Sequence, residues 1–252
     1  MKKLLLQLYR PISMVTGLGA LGLMCLLWYP FALLLGLLPL SPQTQRRIGR
    51  GTIHFGMRIY MWILRYLCII RVDAQSLYAM KDTPAAVLVA NHPSLLDAVI
   101  FLGHLPNVVC VMKAALQKNI LYGAATRLSH FVSNKSPLEM INAASEELRL
   151  GGHLLIFPES TRTVQWPVNP CGSASGLIAK RAQVPLQSFF IEMSSPYLGK
   201  NWPLFKPPEL PLDIRVIMGP RIPCEDATGL QVAHTFEAHV RAHFADKPPL
   251  KV

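Results

Sequence analysis

The most constraining feature of this sequence is an uncharged stretch close to its amino terminus. No charged side chain occurs between Pro11 and Gln45, and residues 12–40 are almost entirely apolar. About 20 apolar residues are enough for a helix to cross a bilayer, so this run is long enough to enter a membrane. A cleaved signal peptide would be shorter and would end in a small-residue cleavage site, for which the glycines and alanine here are a poor match.

The charges that flank this run predict how it enters the membrane. Both flanks are basic, with Lys2, Lys3 and Arg10 on one side and Arg46, Arg47 and Arg50 on the other. Positive charge favours the cytoplasmic side, so both ends are expected there. Pro30 divides the run into two halves. We therefore predict a helical hairpin that dips into one leaflet rather than a single straight span.

A second apolar segment, residues 53–71, carries basic and aromatic side chains at helical spacing. They are His54, Arg58 and Arg65, and Tyr60, Trp62 and Tyr66. The basic residues are spaced to lie on one face of a helix. The aromatic residues are of the kind that sits at the level of lipid headgroups. These features predict a helix lying in the membrane interface; the alternative is a core helix with a solvated basic stripe.

Composition and charge narrow the range of partners. Charged residues make up only 15% of the chain, against about a quarter in soluble domains. There are 25 Lys and Arg residues and 14 Asp and Glu residues, a formal net charge of +11. A basic, apolar chain favours anionic lipids or phosphorylated substrates. Nucleic acid is not expected, because no dense basic run with interleaved aromatic residues occurs. The five cysteines are widely spaced, which argues against a disulfide framework and a zinc site.

From residue 85 onward, short apolar runs alternate with helical patterns. We predict strands at Val87–Ala90, Val108–Met112, His130–Ser133, His153–Phe157, Val184–Ile191 and Ile214–Met218. Helices are predicted at Leu95–Gly103, Leu116–Leu128, Pro137–Leu150, Ala174–Ala182 and Gly229–Phe244. This alternation predicts an α/β fold, with a largely parallel sheet and helices on both faces. The chain would then comprise a membrane-anchoring segment, residues 1–75, and an α/β domain, residues 76–252.

The first stretch that carries chemistry is residues 91–97, which read Asn-His-Pro-Ser-Leu-Leu-Asp after an apolar strand. Pro93 suits the first turn of a helix, which would put Asp97 one turn into that helix. His92 would lie at the carboxyl end of a strand, where open α/β sheets bind ligands. Asp97 could accept a hydrogen bond from one ring nitrogen and leave the other free to take a proton. The alternative is a surface histidine and a helix-start aspartate that never meet.

The second stretch, residues 157–163, reads Phe-Pro-Glu-Ser-Thr-Arg-Thr and also follows an apolar strand. The planar fork of Arg162 suits a phosphate group, and Glu159 could orient that guanidinium or bind a substrate hydroxyl. Alone, this stretch could equally be a hydroxyl-rich turn with a surface ion pair. Parallel strands bring their carboxyl ends to one edge of a sheet, so the two stretches together predict a single site.

These stretches resemble the motifs of the glycerolipid (lysophospholipid) acyltransferase family, which includes the 1-acylglycerol-3-phosphate acyltransferases. Residues 91–97 match the family's His-x-x-x-x-Asp motif, and residues 157–163 resemble its Phe-Pro-Glu-Gly-Thr-Arg-Ser motif. Residues 184–186 (Val-Pro-Leu) and 219–223 (Gly-Pro-Arg-Ile-Pro) are similar to two later motifs. The resemblance covers about residues 80–225.

Two positions depart from the family pattern. Ser160 stands where the family usually has glycine. Asn134, followed by Lys135, stands in the arginine position of the family's Gly-x-x-Phe-(aliphatic)-x-Arg motif. That motif is thought to help bind the glycerol phosphate part of the acceptor. Its loss weakens the case for lysophosphatidic acid as the acceptor here.

The resemblance implies transfer of a fatty acyl chain from acyl-CoA or acyl carrier protein to a hydroxyl of a lysophospholipid or related lipid. No cofactor or metal is implied, because the acyl thioester is a co-substrate. His92 would be the general base, and Asp97 would orient its imidazole. The residues expected to bind substrate are Asn91, Lys113, Lys135, Glu159, Ser160, Thr161 and Arg162. Family habit points to the inner membrane of a bacterium, with the active site on the cytoplasmic face and the lipid bilayer as partner.

Two other functions remain open at this point. A lipid or thioester hydrolase would need a nucleophilic serine, commonly in a Gly-x-Ser-x-Gly pattern. In residues 172–176 Ala174 occupies the central place of that pattern, and the segment is more typical of a helix start. A non-catalytic lipid-binding protein could keep a worn acyltransferase fold. The departures at Ser160 and Asn134 favour that alternative, and the retained His92, Asp97, Glu159 and Arg162 argue against it.

Overall fold

The computed structural model describes residues 2–117, 123–203 and 205–250 of the chain. A seven-stranded sheet lies at its centre, in the spatial order β1-β7-β6-β2-β5-β3-β4. The strands are β1 (Ile70–Asp73), β2 (Val87–Ala90), β3 (Val108–Met112), β4 (Val132–Ser133), β5 (His153–Ile156), β6 (Leu186–Met193) and β7 (Leu212–Ile222). Strands β2 to β6 are parallel; β7 is antiparallel to β6, and β1 is parallel to β7. The predicted largely parallel sheet is confirmed.

Helices cover both faces of this sheet, as predicted. They are α1 (Lys2–Leu37), α2 (Pro42–Leu67), α3 (Leu96–His104), α4 (Ala114–Gln117), α5 (Gly123–Leu128), α6 (Pro137–Arg149), α7 (Ala174–Ala182) and α8 (Gly229–His243), with a 3-10 helix at Gln75–Met80. One core lies between the sheet and helices α2 and α3, with Leu64 and Phe101 fully buried. The other lies between the sheet and helices α6 to α8, with Ile178 and Phe236 at its centre.

The helix α1 corrects the expectation of a hairpin bent at Pro30. It runs without interruption from Lys2 to Leu37, through both Pro11 and Pro30. A proline removes one internal hydrogen bond, and a long helix can keep the others on either side of it. The turn of the hairpin lies at residues 38–41, and α2 is its second arm. Among the described residues, α1 is the one helix long and apolar enough to cross a membrane, over Lys3–Leu37.

The helix α2 begins eleven residues earlier than the pattern predicted, because Ser41 accepts a hydrogen bond from Thr44 N and Pro42 opens the first turn. It ends at Leu67, so Arg71 belongs to β1 and not to the helix. Its exposed side chains include Trp62 and Tyr66 with Arg58 and Arg65, as predicted, and also Phe55 and Ile59. The expectation for Tyr60 is wrong, because this ring is 1% exposed and lies in the core. The third basic residue, His54, is half-buried, and its Nδ1 lies 2.8 Å from the carbonyl oxygen of Leu102.

A buried ion pair fixes α2 to the α/β domain. Arg50 is 5% exposed and bonds Glu147 of α6, Asn107 Oδ1 and the carbonyl oxygen of Ser129. Arg46 donates from Nε to both carboxylate oxygens of Glu147 at 3.0 Å. Removing one partner from such a buried pair leaves an uncompensated charge, which typically costs about 3–5 kcal/mol. The hairpin is therefore held firmly against the rest of the protein.

One strand was missed, one begins later than predicted, and one predicted helix is described only in part. The strand β1 was not predicted; it pairs with β7 and so joins the sheet although it precedes residue 76. The strand predicted from His130 begins at Val132, because His130 has a φ of 56°, which an extended strand excludes. The middle of the helix predicted at Leu116–Leu128 lies outside the described residues, and its flanks are α4 and α5.

Candidate active site

The sheet brings the two chemical stretches to the same edge. The strand β2 pairs with β5 in parallel register, with Val89 opposite Ile156. Residues 91–97 and 157–163 follow directly from these neighbouring strands. Their backbones also bond each other, since Thr163 N donates to the carbonyl oxygen of His92 at 2.7 Å. The structure thus places the two stretches side by side, as parallel pairing of their strands predicts.

The side chains of His92 and Asp97 form a pair at this edge. His92 Nδ1 lies 2.8 Å from Asp97 Oδ2. The carboxylate is fully buried, and the imidazole is 16% exposed. The contact is made by a tight turn, because Ser94 N also donates to Asp97 Oδ2 at 2.8 Å. The helix α3 begins at Leu96, so Asp97 lies in its first turn and Pro93 precedes the helix rather than opening it.

This pairing fixes the state of the imidazole. An ionised carboxylate can only accept hydrogen bonds, so Nδ1 must carry the proton that it shares with Asp97. Nε2 is then left with a lone pair that can take up a proton. The ring also stacks on Phe157, with centroids 3.9 Å apart and an angle of 10° between the planes. The imidazole is therefore held on one side by a carboxylate and on one face by an aromatic ring.

Burial changes the electrostatic balance at Asp97. It raises the pKa of this carboxyl, and the hydrogen bond from His92, its charge and that of Arg162 act in the opposite direction. Within the described part of the chain, Asp97 Oδ1 has no hydrogen-bond partner. The carboxylate of Asp97 therefore depends on His92 and Ser94 N for its hydrogen bonds.

The carboxylate of Glu159 holds the two turns together. It is 5% exposed and accepts hydrogen bonds from His92 N at 2.8 Å, Thr163 Oγ1 at 2.8 Å and Asn169 N at 2.8 Å. Burial raises the pKa of Glu159, and these three donors oppose that shift. Its oxygens are thus used by the protein itself. The geometry gives Glu159 a positioning role for the backbone of His92 rather than a direct contact with Arg162.

The side chain of Arg162 reaches in the other direction. Its Nη1 donates to the carbonyl oxygens of Leu198 and Gly199 at 2.9 and 2.7 Å. Burial lowers the pKa of Arg162, and the charge of Asp97 counteracts this. The neighbouring Thr161 is half-buried, whereas Ser160 is exposed and has a φ of 56°. This left-handed conformation explains why glycine is usual at the position in the family that the sequence resembles.

The remaining predicted site residues have different surroundings. Asn91 is fully buried and exchanges two hydrogen bonds with the backbone of Ile191, so it extends the pairing of β2 with β6. Lys113 and Lys135 are exposed and follow the carboxyl ends of β3 and β4. They stand at the same edge of the sheet as His92, because these strands are parallel.

Sequence reasoning did not single out three residues that shape the site. Phe157 supplies the ring under His92, and Thr163 bonds both His92 and Glu159. Asn169 accepts from Val164 N and Gln165 N and donates to the carbonyl oxygen of Arg162. The position of Phe157 and Thr163 inside the second motif was the available signal. Nothing in the sequence marks Asn169, whose role depends on how the loop folds back.

Comparison with known proteins agrees with this architecture. A family model described as acyltransferase matches residues 70–192, the stretch that contains both motifs and the strands that carry them. By this match, residues 70–192 carry an acyltransferase domain, which supports an O-acyltransferase as the class of enzyme.

Among solved structures, the chain is similar to the 1-acyl-sn-glycerophosphate (LPA) acyltransferase PlsC from Thermotoga maritima. The two are 16% identical, with a TM-score of 0.71 over 96% of this chain and 97% of that one. The likeness extends over nearly the whole length and establishes the fold. A search of the curated proteins found no match.

Proposed function

We propose that the protein moves a fatty acyl chain from an acyl thioester to a hydroxyl group of a lysophospholipid or related lipid, with His92 as the general base. The observation that carries this proposal is the 2.8 Å contact between His92 Nδ1 and the buried Asp97. It leaves Nε2 as the proton acceptor on a ring whose orientation is fixed. The acyltransferase family supplies the reaction class.

The proposed reaction needs no covalent intermediate on the enzyme. Nε2 of His92 removes the proton of the acceptor hydroxyl as its oxygen attacks the thioester carbonyl. Asp97 stabilises the imidazolium that forms, the role that the aspartate has in Ser-His-Asp hydrolases. When the tetrahedral intermediate collapses, the carbon–sulfur bond breaks and the imidazolium returns its proton to the departing thiolate. An ester and a free thiol are the products.

Three cations are suited to hold anionic parts of the substrates. Arg162 uses Nη1 on two carbonyl groups, and a guanidinium offers further N–H groups that could bind a phosphate. Lys113 and Lys135 are exposed at the same edge of the sheet. We assign Arg162 to the acceptor or donor phosphate, and the two lysines to longer-range attraction. Ser160 and Thr161 complete this side of the site.

We further propose that the α1–α2 hairpin embeds in one leaflet of a membrane and so keeps the site at the bilayer surface. Only 11% of the most apolar part of α1 is buried against the protein. Its exposed face carries large side chains along its whole length, among them Leu5, Ile12, Leu26 and Leu34. The exposed aromatic and basic residues of α2 suit the headgroup region. The inner membrane, with the site on the cytoplasmic side, is the expected location.

The competing hydrolase function receives no support from the serine-rich segment. Ser175 is 1% exposed and lies inside α7, next to the helix start at Ala174. A lipid-binding protein without catalytic activity would also have no need of the His92–Asp97 pair. Both alternatives nevertheless make distinct predictions, namely thioester hydrolysis without an acceptor, and lipid binding without turnover.

The test is acyl transfer by the purified protein in vesicles, with palmitoyl-CoA or palmitoyl-acyl carrier protein as donor and a panel of lysophospholipids as acceptors. General-base catalysis contributes about 10²–10⁴-fold, so His92→Ala should lower kcat by that factor and leave KM nearly unchanged. Asp97→Asn should lower kcat while His92 stays in place. The matched control is His234→Ala, an exposed histidine of α8. Wild-type kcat in His92→Ala would rule out the assigned base, and acceptor-independent release of fatty acid would favour the hydrolase.

A further inference from the structure

The loop between β6 and β7 presents an exposed aromatic side chain on a well-bonded frame. Phe205 is 82% exposed, whereas Tyr197 and Leu198 of the same loop are buried. Tyr197 packs edge-on against Trp202, and Trp202 Nε1 donates to the carbonyl oxygen of Lys206 at 2.9 Å. Transfer of an aromatic ring from water to an apolar phase is favourable. A hydrogen-bonded loop that keeps Phe205 exposed to water therefore indicates a surface that contacts an apolar partner.

Two lysines belong to the same loop as Phe205. Lys206 Nζ lies 4.4 Å from the centre of the Trp202 ring, and Lys200 stands at the other end of the same turn. An aromatic side chain flanked by tryptophan and lysine is the combination that suits the boundary between lipid headgroups and acyl chains. The net charge of +11 makes an anionic surface the better fit.

The loop lies at the end of the molecule where the α1–α2 hairpin opens. Tyr9 near the start of α1 donates to the carbonyl oxygen of Leu67 at the end of α2. The chain then enters β1, whose Ile70 pairs with Leu212, the first residue after the loop. Tyr197, Leu198 and Cys68 belong to one buried cluster, against which Tyr9 and Trp202 also pack. The base of the loop that carries Phe205 therefore lies at the same end of the molecule as the open end of the hairpin.

The same loop is bonded to the active-site turns. The carbonyl oxygen of Leu198 accepts hydrogen bonds from Leu95 N at 3.1 Å and from Arg162 Nη1 at 2.9 Å. Gly199 adds a second carbonyl to Arg162. The loop is thus hydrogen-bonded both to the turn that follows His92 and to the guanidinium of the second motif.

We propose that the β6–β7 loop is a second membrane contact, separate from the helical hairpin. Phe205 enters the headgroup region of an anionic bilayer, and Lys200 and Lys206 meet lipid phosphates. The contact orients the active-site edge toward the bilayer and holds the Leu198 carbonyl that positions Arg162. This inference rests on the proposed attachment of α1 to a membrane, and the test separates the two.

The test places a fluorescent NBD label on single cysteines of the full chain in a Cys25→Ser background, because the other four cysteines are buried. The sites are Phe205→Cys, Leu26→Cys in α1, and Leu230→Cys in α8 as the matched control. Leu230 is 53% exposed and lies in α8, on the face of the sheet opposite to α2 and α3. The protein is reconstituted into vesicles of phosphatidylcholine and phosphatidylglycerol with brominated acyl chains, which quench labels that enter the bilayer.

The labels at residues 26 and 205 should be quenched at least twofold more than the label at residue 230. Quenching at 26 with no more quenching at 205 than at 230 overturns the second contact and leaves the hairpin attachment standing. Absence of quenching at both 26 and 205 overturns the attachment and the loop contact together. Quenching at 205 that is independent of phosphatidylglycerol overturns the part assigned to the lysines.

A second measurement tests the coupling to activity. The double variant Lys200→Glu/Lys206→Glu should lower the ratio of acyl-transfer rates in anionic vesicles and in detergent micelles at least threefold. The control is Lys81→Glu/Lys180→Glu, which makes the same charge change on exposed lysines outside the loop. An equal fall in the control variant would show that only net charge matters and would overturn the assignment to this loop.

Discussion

At the scale of single residues, the buried carboxylate of Glu159 shows how the two motifs depend on each other. Three donors converge on it, from the backbone of His92, the backbone of Asn169 and the hydroxyl of Thr163. A glutamine has one oxygen and one NH2 group. In Glu159→Gln the NH2 group would therefore face at least one of these three hydrogen-bond donors, which would lose its acceptor. We expect the free energy of unfolding to fall by about 1–3 kcal/mol, the usual cost of an unsatisfied buried group.

Denaturation in detergent measures this change, with Glu146→Gln as the control because Glu146 is 57% exposed. The variant should also alter the dependence on pH. The pKa of Glu159 is raised in the folded protein, so the folded state keeps this proton to higher pH than the unfolded chain. Its contribution to stability therefore falls as pH rises from about 4.3, the unfolded value, through the folded pKa. Persistence of the full wild-type pH slope in Glu159→Gln would contradict this account.

Ser160 is a second residue whose effect follows from its backbone. Its φ of 56° lies in the left-handed region, which costs a non-glycine residue roughly 1–2 kcal/mol. Glycine avoids this cost but loses about 0.5–1 kcal/mol through greater freedom when unfolded. Ser160→Gly should therefore raise the free energy of unfolding by up to about 1 kcal/mol, whereas Ser160→Ala should not. Equal stability of the two variants would show that the conformation is not the cause.

At the scale of secondary structure elements, the contact between α2 and the segment that follows α5 is very close. A Cβ atom on Gly49 would lie 2.7 Å from Ser129 Oγ and 2.8 Å from the backbone nitrogen of Ser129. Gly51, in the same helix, has open space around it. The packing of α2 therefore requires glycine at residue 49. At residue 51 glycine has no packing role and only lowers the stability of the helix.

The two glycines give a matched pair of variants. Gly49→Ala should lower the free energy of unfolding by about 1–3 kcal/mol, since backbone atoms would have to move. Gly51→Ala should raise it by up to about 1 kcal/mol, because alanine favours a helix over glycine. Thermal unfolding in detergent measures both. Equal effects in the two variants would mean that the close approach of α2 does not limit stability.

At the scale of the whole molecule, the hairpin and the α/β domain constrain each other. The helix α1 contacts α2 over much of its length. Tyr9 donates a hydrogen bond to the carbonyl oxygen of Leu67, and Met24 lies beside Gly56. The helix α2 in turn is fixed to α6 by Arg50 and Glu147. Because the hairpin is fixed along the domain in this way, we expect α1 to insert its exposed face into one leaflet. Both ends of α1 would then remain on the same side of the membrane.

Labelling from the two sides of the membrane tests this topology. Single cysteines at Gln7 and Arg47, both exposed, are introduced into the Cys25→Ser background and treated with an impermeant maleimide in sealed vesicles of known orientation. Both positions should react from the cytoplasmic side alone. Reaction from opposite sides would show that α1 spans the bilayer, and unhindered reaction from both sides would show that the vesicles are not sealed.

The sequence alone determined the α/β class, the strands that carry the motifs and the pairing of residues 91–97 with residues 157–163, because apolar periodicity and turn residues are local signals. It also marked His92 and Asp97, whose spacing is short enough for one turn to bring them together. Tertiary structure alone decided that Glu159 bonds the backbone of His92, 67 residues away, and that Asn91 bonds the backbone of Ile191, 100 residues away.

The same distinction explains why β1 was missed, because a short apolar run becomes a strand here only by pairing with the distant β7. The early start of α2 has a local cause instead, the cap made by Ser41 and Pro42. The active-site edge, like β1, owes its position to long-range contacts, here of the β6–β7 loop with Leu95 and Arg162. What began as an uncharged stretch of sequence is thus one arm of a hairpin, and the fold fixes where that arm stands relative to the histidine, because side chains far apart in the chain meet only after folding.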